Sequence, residues 1–370
     1  MRVVDSHAHI FQHWSGACGL PSREIHLKYL QKTLTRPSAK VYRARDGAPA
    51  SGQLLFRAGD NTWAGLRDDI GFQPGRYGRL EFRIDGEDYV VQYMPVGMAE
   101  LESKPELLLA QMTAAGVDHC VLQAGFTYGY MNDYNALAQR QYPAKFTGLF
   151  HVDEPVAYTP EWMEEARRAV EELHLCGLDY QTDTFARHGF EWWFDDRRFD
   201  QFWEMIEGFG VPVFFEPAHI PSYDEASYVE IVRRLHGIMA RFPRIRWLLV
   251  LQPPVAYFAR NGRWELPDPI AKVYARENVR LEMCFPIAWG GVWDYPYPEA
   301  QALIKDLRDR YGAGKLVWGS DMPNVERFCT YKQCVDYIRR YCEFLTETEK
   351  ELVLGGNLSA LIRTGAAPAP

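Results

Sequence analysis

The stretch Val3-Val4-Asp5-Ser6-His7-Ala8-His9-Ile10 decides how this chain is read. A short apolar run closes on two imidazoles one residue apart. In an extended strand, residues i and i+2 project to the same face, so His7 and His9 point together within reach of one ion. Imidazole at a strand end suits zinc, manganese or iron. A chance pair on a solvated strand end would look the same locally. A second signal far downstream separates the two readings: in Leu316-Val317-Trp318-Gly319-Ser320-Asp321-Met322-Pro323 another apolar run closes on a polar group, the carboxylate of Asp321.

Working outward, apolar runs alternate with helix-period segments, the pattern of βαβ units and a parallel sheet. Eight strands are expected, over 3–8, 120–124, 146–152, 177–181, 211–216, 247–252, 279–284 and 316–320. Helices are expected between them, among others over 105–115, 160–173, 197–209, 227–241 and 298–311, with 330–345 after the last strand. Eight strand–helix repeats in 370 residues imply an α/β protein of one domain, a (β/α)8 TIM-like barrel over 1–370. Residues 36–97 break the alternation. There, Gly78-Arg79-Leu80-Glu81-Phe82-Arg83-Ile84 and Tyr89-Val90-Val91-Gln92-Tyr93 flank Asp85-Gly86, a hairpin signal. This predicts an inserted β-hairpin cap after the first strand, on the face where such barrels carry their active sites.

Bulk properties exclude several classes. The net charge of −8 leaves no basic footprint for nucleic acid. Seven cysteines, scattered and without a CxxC pair, indicate neither a disulfide framework nor a zinc ribbon. No apolar run approaches the roughly 20 residues of a membrane span, and no secretory leader is read at the start. A cytoplasmic location is therefore expected.

The two strand ends resemble the first and last strands of the amidohydrolase superfamily, in particular its amidohydrolase-2 branch of decarboxylases, hydratases and lactonases. The resemblance extends to Asn135-Ala136-Leu137-Ala138, to Phe146-Thr147-Gly148-Leu149 and to Leu354-Gly355-Gly356-Asn357-Leu358. It implies that His7, His9 and Asp321 bind metal at the mouth of the barrel. It also implies histidines ending the fifth and sixth strands. This chain has Glu216 and Gln252 there.

That departure shapes the functional expectation. Gln252 cannot shuttle a proton near neutral pH, whereas Glu216 can act as a ligand and bridge two ions. A two-histidine, one-carboxylate set with open positions is the pattern of non-haem iron. His219 and His151 are candidates for a second ion. Asp179 and Asp153 are weaker candidates; Glu282, alternating along the seventh strand, is expected in the barrel interior or supporting a ligand from behind. The altered set is similar to that of the non-haem di-iron hydroxylases of platensimycin- and platencin-type diterpenoid biosynthesis. The expectation is a monooxygenase with two irons, acting on a bulky apolar substrate such as a diterpenoid coenzyme A thioester, with dioxygen and an electron donor. Glu216 and Gln252 would be its catalytic residues, and Trp289, Trp293, Tyr257 and Phe258 an apolar wall for substrate. The alternative is a zinc- or manganese-dependent decarboxylase or hydrolase. A homodimer is the expected assembly.

Overall fold

A computed structural model describes residues 1–35, 39–217 and 224–363. Eight parallel strands form its centre. β1 (Val4–Ala8) pairs with β7 (His119–Leu122) and β7 with β8 (Phe146–Gly148). A second sheet runs in the order β15 (Leu316–Trp318), β14 (Val279–Met283), β11 (Trp247–Leu249), β10 (Val213–Glu216), β9 (Leu178–Gln181). Two parallel bridges, Phe150 to Leu178 and Ala8 to Met322, join the sheets into a closed ring. All eight expected strands are present, each shorter than expected by one to four residues.

Six of the eight strands place an apolar residue, on the strand or just beyond it, in a shared interior. Val4, Val121, Leu149, Phe214, Leu248 and Val317 form one buried cluster, and Leu358 and Leu361 of the helix Asn357–Arg363 join it from below. Helices pack on the outside. Two buried amides tie strands to their neighbours: Asn135 donates to the carbonyls of Leu122 and Leu149, and Asn357 to those of Ala313 and Leu316. These contacts account for the two asparagine phrases singled out in the sequence.

The insertion is larger than a single hairpin. It is a five-stranded antiparallel sheet in the order β3 (Pro49–Ala50), β2 (Val41–Arg43), β6 (Glu87–Gln92), β5 (Arg79–Ile84), β4 (Gln73–Pro74). The β5–β6 hairpin turns at Asp85 and Gly86, both with positive φ (51° and 82°), as a two-residue turn matched to strand twist requires. The sheet has its own core, including Leu55, Ile70, Leu80, Phe82 and Val91, continuous with Phe11, Trp14 and Leu30 beneath it. A further small hairpin, β12 (Ala259–Arg260) with β13 (Arg263–Trp264), lies between β11 and β14. No helix among the described residues is long and apolar enough to cross a membrane.

Candidate metal centre

β1 is not a regular strand. Its register against β7 shifts between Asp5 and Ala8, as at a β-bulge, a device that re-aims side chains. In a regular strand Ser6 and His7 would face opposite sides. Here the Ser6 hydroxyl donates to Glu282 Oε1 at 2.6 Å, and His7 Nδ1 lies 2.9 Å from Glu282 Oε2. A carboxylate can only accept, so Nδ1 of His7 carries a proton, and Nε2 is the atom turned to the mouth, where an ion would take the place of a second proton. Glu282 is fully buried, and Gln123 Nε2 and the Leu251 amide also donate to it. This is the outer support that fixes the tautomer of a metal-ligating histidine.

Three ligand atoms meet at the mouth. His7 Nε2 and His9 Nε2 are 3.0 Å apart, and Asp321 Oδ1 is 3.7 Å and 3.2 Å from them. Ligands bound at about 2.0–2.2 Å lie at such separations around one ion. Asp321 stands in the left-handed region (φ 62°), held there by its amide donating to the His7 carbonyl at 2.8 Å. Asn324 donates to Asp321 Oδ1 at 2.7 Å. Asp5 locks the first strand to the last: it accepts from the amides of His7 and Ser320 and the hydroxyls of Ser320 and Tyr331.

The electrostatics fit a cation. Burial works against charging His7, yet Glu282 and Asp321, with Glu216 further off, push its pKa up to about 10. Burial also opposes ionisation of Asp321, but His7, His9 and Asn324 hold it below the usual carboxylate range. Burial and the neighbouring His7 keep His9 below its ordinary value, against the pull of Asp321. The donor set, two imidazoles and a carboxylate with one imidazole backed by a second carboxylate, suits a divalent ion.

The cluster opens on a cavity of about 690 Å³. Barrel residues His7, His9, Tyr128, Gln181, Glu216 and Asp321 line it, together with Lys40, Tyr42, Val91, Tyr93 and Val96 from the insertion. The expected cap does cover the mouth. Arg327 lines the same cavity; its Nε donates to the Asn324 carbonyl, and its guanidinium lies over the rings of Tyr93 and Phe328.

Other expected site residues fall elsewhere. Glu216 reaches the cavity but does not join the set whose ligand atoms all lie within 4.8 Å; among the described residues that set is His7, His9 and Asp321, with His7, Glu282 and Cys284 as an overlapping group. His151 stands apart from that set. Its Nε2 accepts from the Met131 amide at 3.1 Å, and the ring packs on Phe126 and Tyr130, where burial lowers its pKa to about 3. Asp179 is buried and accepts from the Ala124 amide. His219 lies outside the described residues.

Gln252 has a structural task in place of the expected catalytic one. Its amide nitrogen donates to the carbonyls of Val250 and Leu251, and its oxygen accepts from the hydroxyls of Tyr228 and Tyr274. Both ends are satisfied within the protein. The apolar wall is also displaced. Tyr257 and Trp289 line a second, mostly apolar cavity of about 240 Å³ that, among the described residues, shares Glu216 and Leu251 with the large one. Trp293 stacks on Trp289, and Phe258 is core. The sequence reading passed over Tyr128, Asn324 and Arg327 and ranked Glu282 low. Glu282 carried a signal, a fully buried carboxylate in the strand Val279–Met283.

The amidohydrolase family pattern matches residues 4–361. The chain belongs to the amidohydrolase family, in its amidohydrolase-2 branch. Within that family it is similar to an L-fucono-1,5-lactonase of Burkholderia ambifaria, 26% identical over 152 residues, 38% of this chain and 49% of the lactonase. The match thus spans about half the length of that curated relative. Its fold is similar to a TIM-barrel protein from Bordetella bronchiseptica (TM-score 0.58, 15% identity, 99% of each chain). It is also similar to a dihydroxybenzoic acid decarboxylase from a Polaromonas species solved with bound manganese (TM-score 0.53, 15% identity, 72% of this chain and 88% of that one).

Proposed function

We propose that the protein is a metal-dependent hydrolase or decarboxylase of a small oxygenated substrate, with Glu216 as its proton-handling group. The observation that carries this reading is the convergence of His7, His9 and Asp321 on the wall of a capped cavity. Zinc or manganese held by these three would supply Lewis-acid polarisation of a substrate oxygen.

The chain's own groups supply the rest. Glu282 keeps Nε2 of His7 aimed at the mouth. Glu216, at the C-terminal end of β10, presents a carboxylate to the same cavity and takes a proton from water or substrate. Val91, Tyr93 and Val96 of the cap shield the reacting centre from bulk water. Lys40 and Arg327 favour a substrate with an anionic group. The manganese-bound decarboxylase and the lactonase among its relatives support this choice of chemistry.

An iron oxygenase remains a second reading because two histidines and one carboxylate also suit mononuclear non-haem iron. Among the described residues a di-iron centre finds no support: Glu216 and His151 do not join the cluster. The test is turnover of hydroxybenzoates and sugar lactones by zinc- or manganese-loaded protein under nitrogen. Release of carbon dioxide or lactone opening supports the proposal. Turnover that requires oxygen and places label from dioxygen in the product hands the case to iron.

A further inference from the structure

Tyr128 sits in the loop after β7, and its ring lies flat on His9 with centroids 4.1 Å apart. The position is clamped. Phe11 and Trp14 pack against the same ring, and buried His26 bonds the carbonyl of the preceding Thr127 at 3.1 Å. The following residue, Gly129, has φ 115°, and a Cβ there would come within 2.2 Å of the Cys18 carbonyl, so only glycine admits this approach of the loop to the first strand's exit.

The hydroxyl is the informative atom. It accepts from Asn324 Nδ2 at 2.7 Å, and the same nitrogen donates to Asp321 Oδ1 at 2.7 Å. Both amide hydrogens of Asn324 are thereby spent. Asn324 presents only a donor to Tyr128, so the phenol's own proton must go elsewhere. No acceptor for it exists among the described residues, although the side chain is only 8% exposed and borders the large cavity beside His7, His9 and Asp321. A buried donor without an acceptor is costly, and here it faces the space a ligand would occupy.

We propose that Tyr128 is a catalytic residue whose O–H donates a hydrogen bond to an oxygen of the substrate next to the His7, His9 and Asp321 centre, and so stabilises negative charge that develops on that oxygen. The proposal rests on the metal-dependent reading above. An ordinary tyrosine phenol keeps its proton near neutral pH, so the group serves as a donor. The proton remains on Tyr128; no bond to it breaks. Fixed donors aimed at developing charge in a water-poor site are an effective form of electrostatic catalysis.

The test uses the full chain loaded with zinc and oxalate as the oxyanion probe. Ion content is measured after gel filtration and oxalate affinity by calorimetry. Tyr128→Phe should keep the ion and the fold, because ring stacking survives, while oxalate affinity falls about ten-fold or more, the share of a hydrogen bond to a charged acceptor. Replacing Tyr128 by 3,5-difluorotyrosine, a stronger acid, should tighten oxalate binding relative to wild type. Unchanged affinity in both variants, or a wild-type protein that holds zinc and does not bind oxalate, overturns the proposal. A wild-type protein that holds no ion overturns the metal-dependent reading itself, and this proposal with it.

Discussion

The Nδ1 atom of His7 lies 2.9 Å from the Glu282 carboxylate, two residues 275 positions apart in the chain and both buried. This contact orients the first-strand histidine as the proposed metal centre requires. Glu282→Gln keeps the shape but replaces a charged acceptor by a neutral amide. Metal affinity should fall 10- to 100-fold, the usual cost of losing such outer support. Titration with zinc against a competing chelator measures it.

Glu216→Gln separates proton handling from metal binding. Glu216 lines the cavity without joining the close ligand set. Turnover should fall by about 10²–10⁴, the usual contribution of a positioned acid or base, with ion content unchanged. Steady-state kinetics beside elemental analysis decides it. Loss of the ion in this variant would make Glu216 a ligand.

Asp5 gathers two amides and two hydroxyls from the first strand, the last strand and the helix Tyr331–Tyr341. Asp5→Ala leaves these buried donors unpaired. Each such loss costs about 1–3 kcal/mol, and denaturant titration should show at least about 3 kcal/mol of destabilisation.

His151 sets a pH dependence. Its folded-state pKa is lowered by burial to about 3, from an ordinary 6.5. The unfolded chain therefore binds a proton that the folded chain refuses, and stability is lost as pH falls below 6.5, until about pH 3. At pH 5 the loss amounts to roughly 2 kcal/mol. His151→Gln, whose amide oxygen can still accept from Met131, should flatten the fall in unfolding free energy between pH 7 and 5, measured by denaturant titration, by that amount. An equally steep fall in the variant would contradict the assignment.

Much of the barrel was legible because its strands are apolar runs with polar C-terminal ends, and His7 and His9 occupy one such end and Asp321 another. The cap was legible at Asp85-Gly86 because that pair has one favoured turn. Its five-stranded extent was not, since strands of two residues such as β3 and β4 leave no periodicity. The pairing of Ser6 and His7 with Glu282 depends on a register shift in β1, and a bulge has no composition of its own. Gln252 looked like a site residue because it ends an apolar strand; its partners Tyr228 and Tyr274 lie on two different helices, and only closure of the barrel brings them there. His151 misled for the same reason: its partner is a backbone amide.

The central claim is that His7, His9 and Asp321 hold one catalytic divalent ion. Elemental analysis of the full chain, purified without chelator and compared with His9→Ala and Asp321→Asn, tests it most directly. The account predicts about one zinc or manganese per wild-type chain, and none in either variant, while circular dichroism shows both variants folded. A wild-type chain without metal, or variants that retain it in full, would contradict the account.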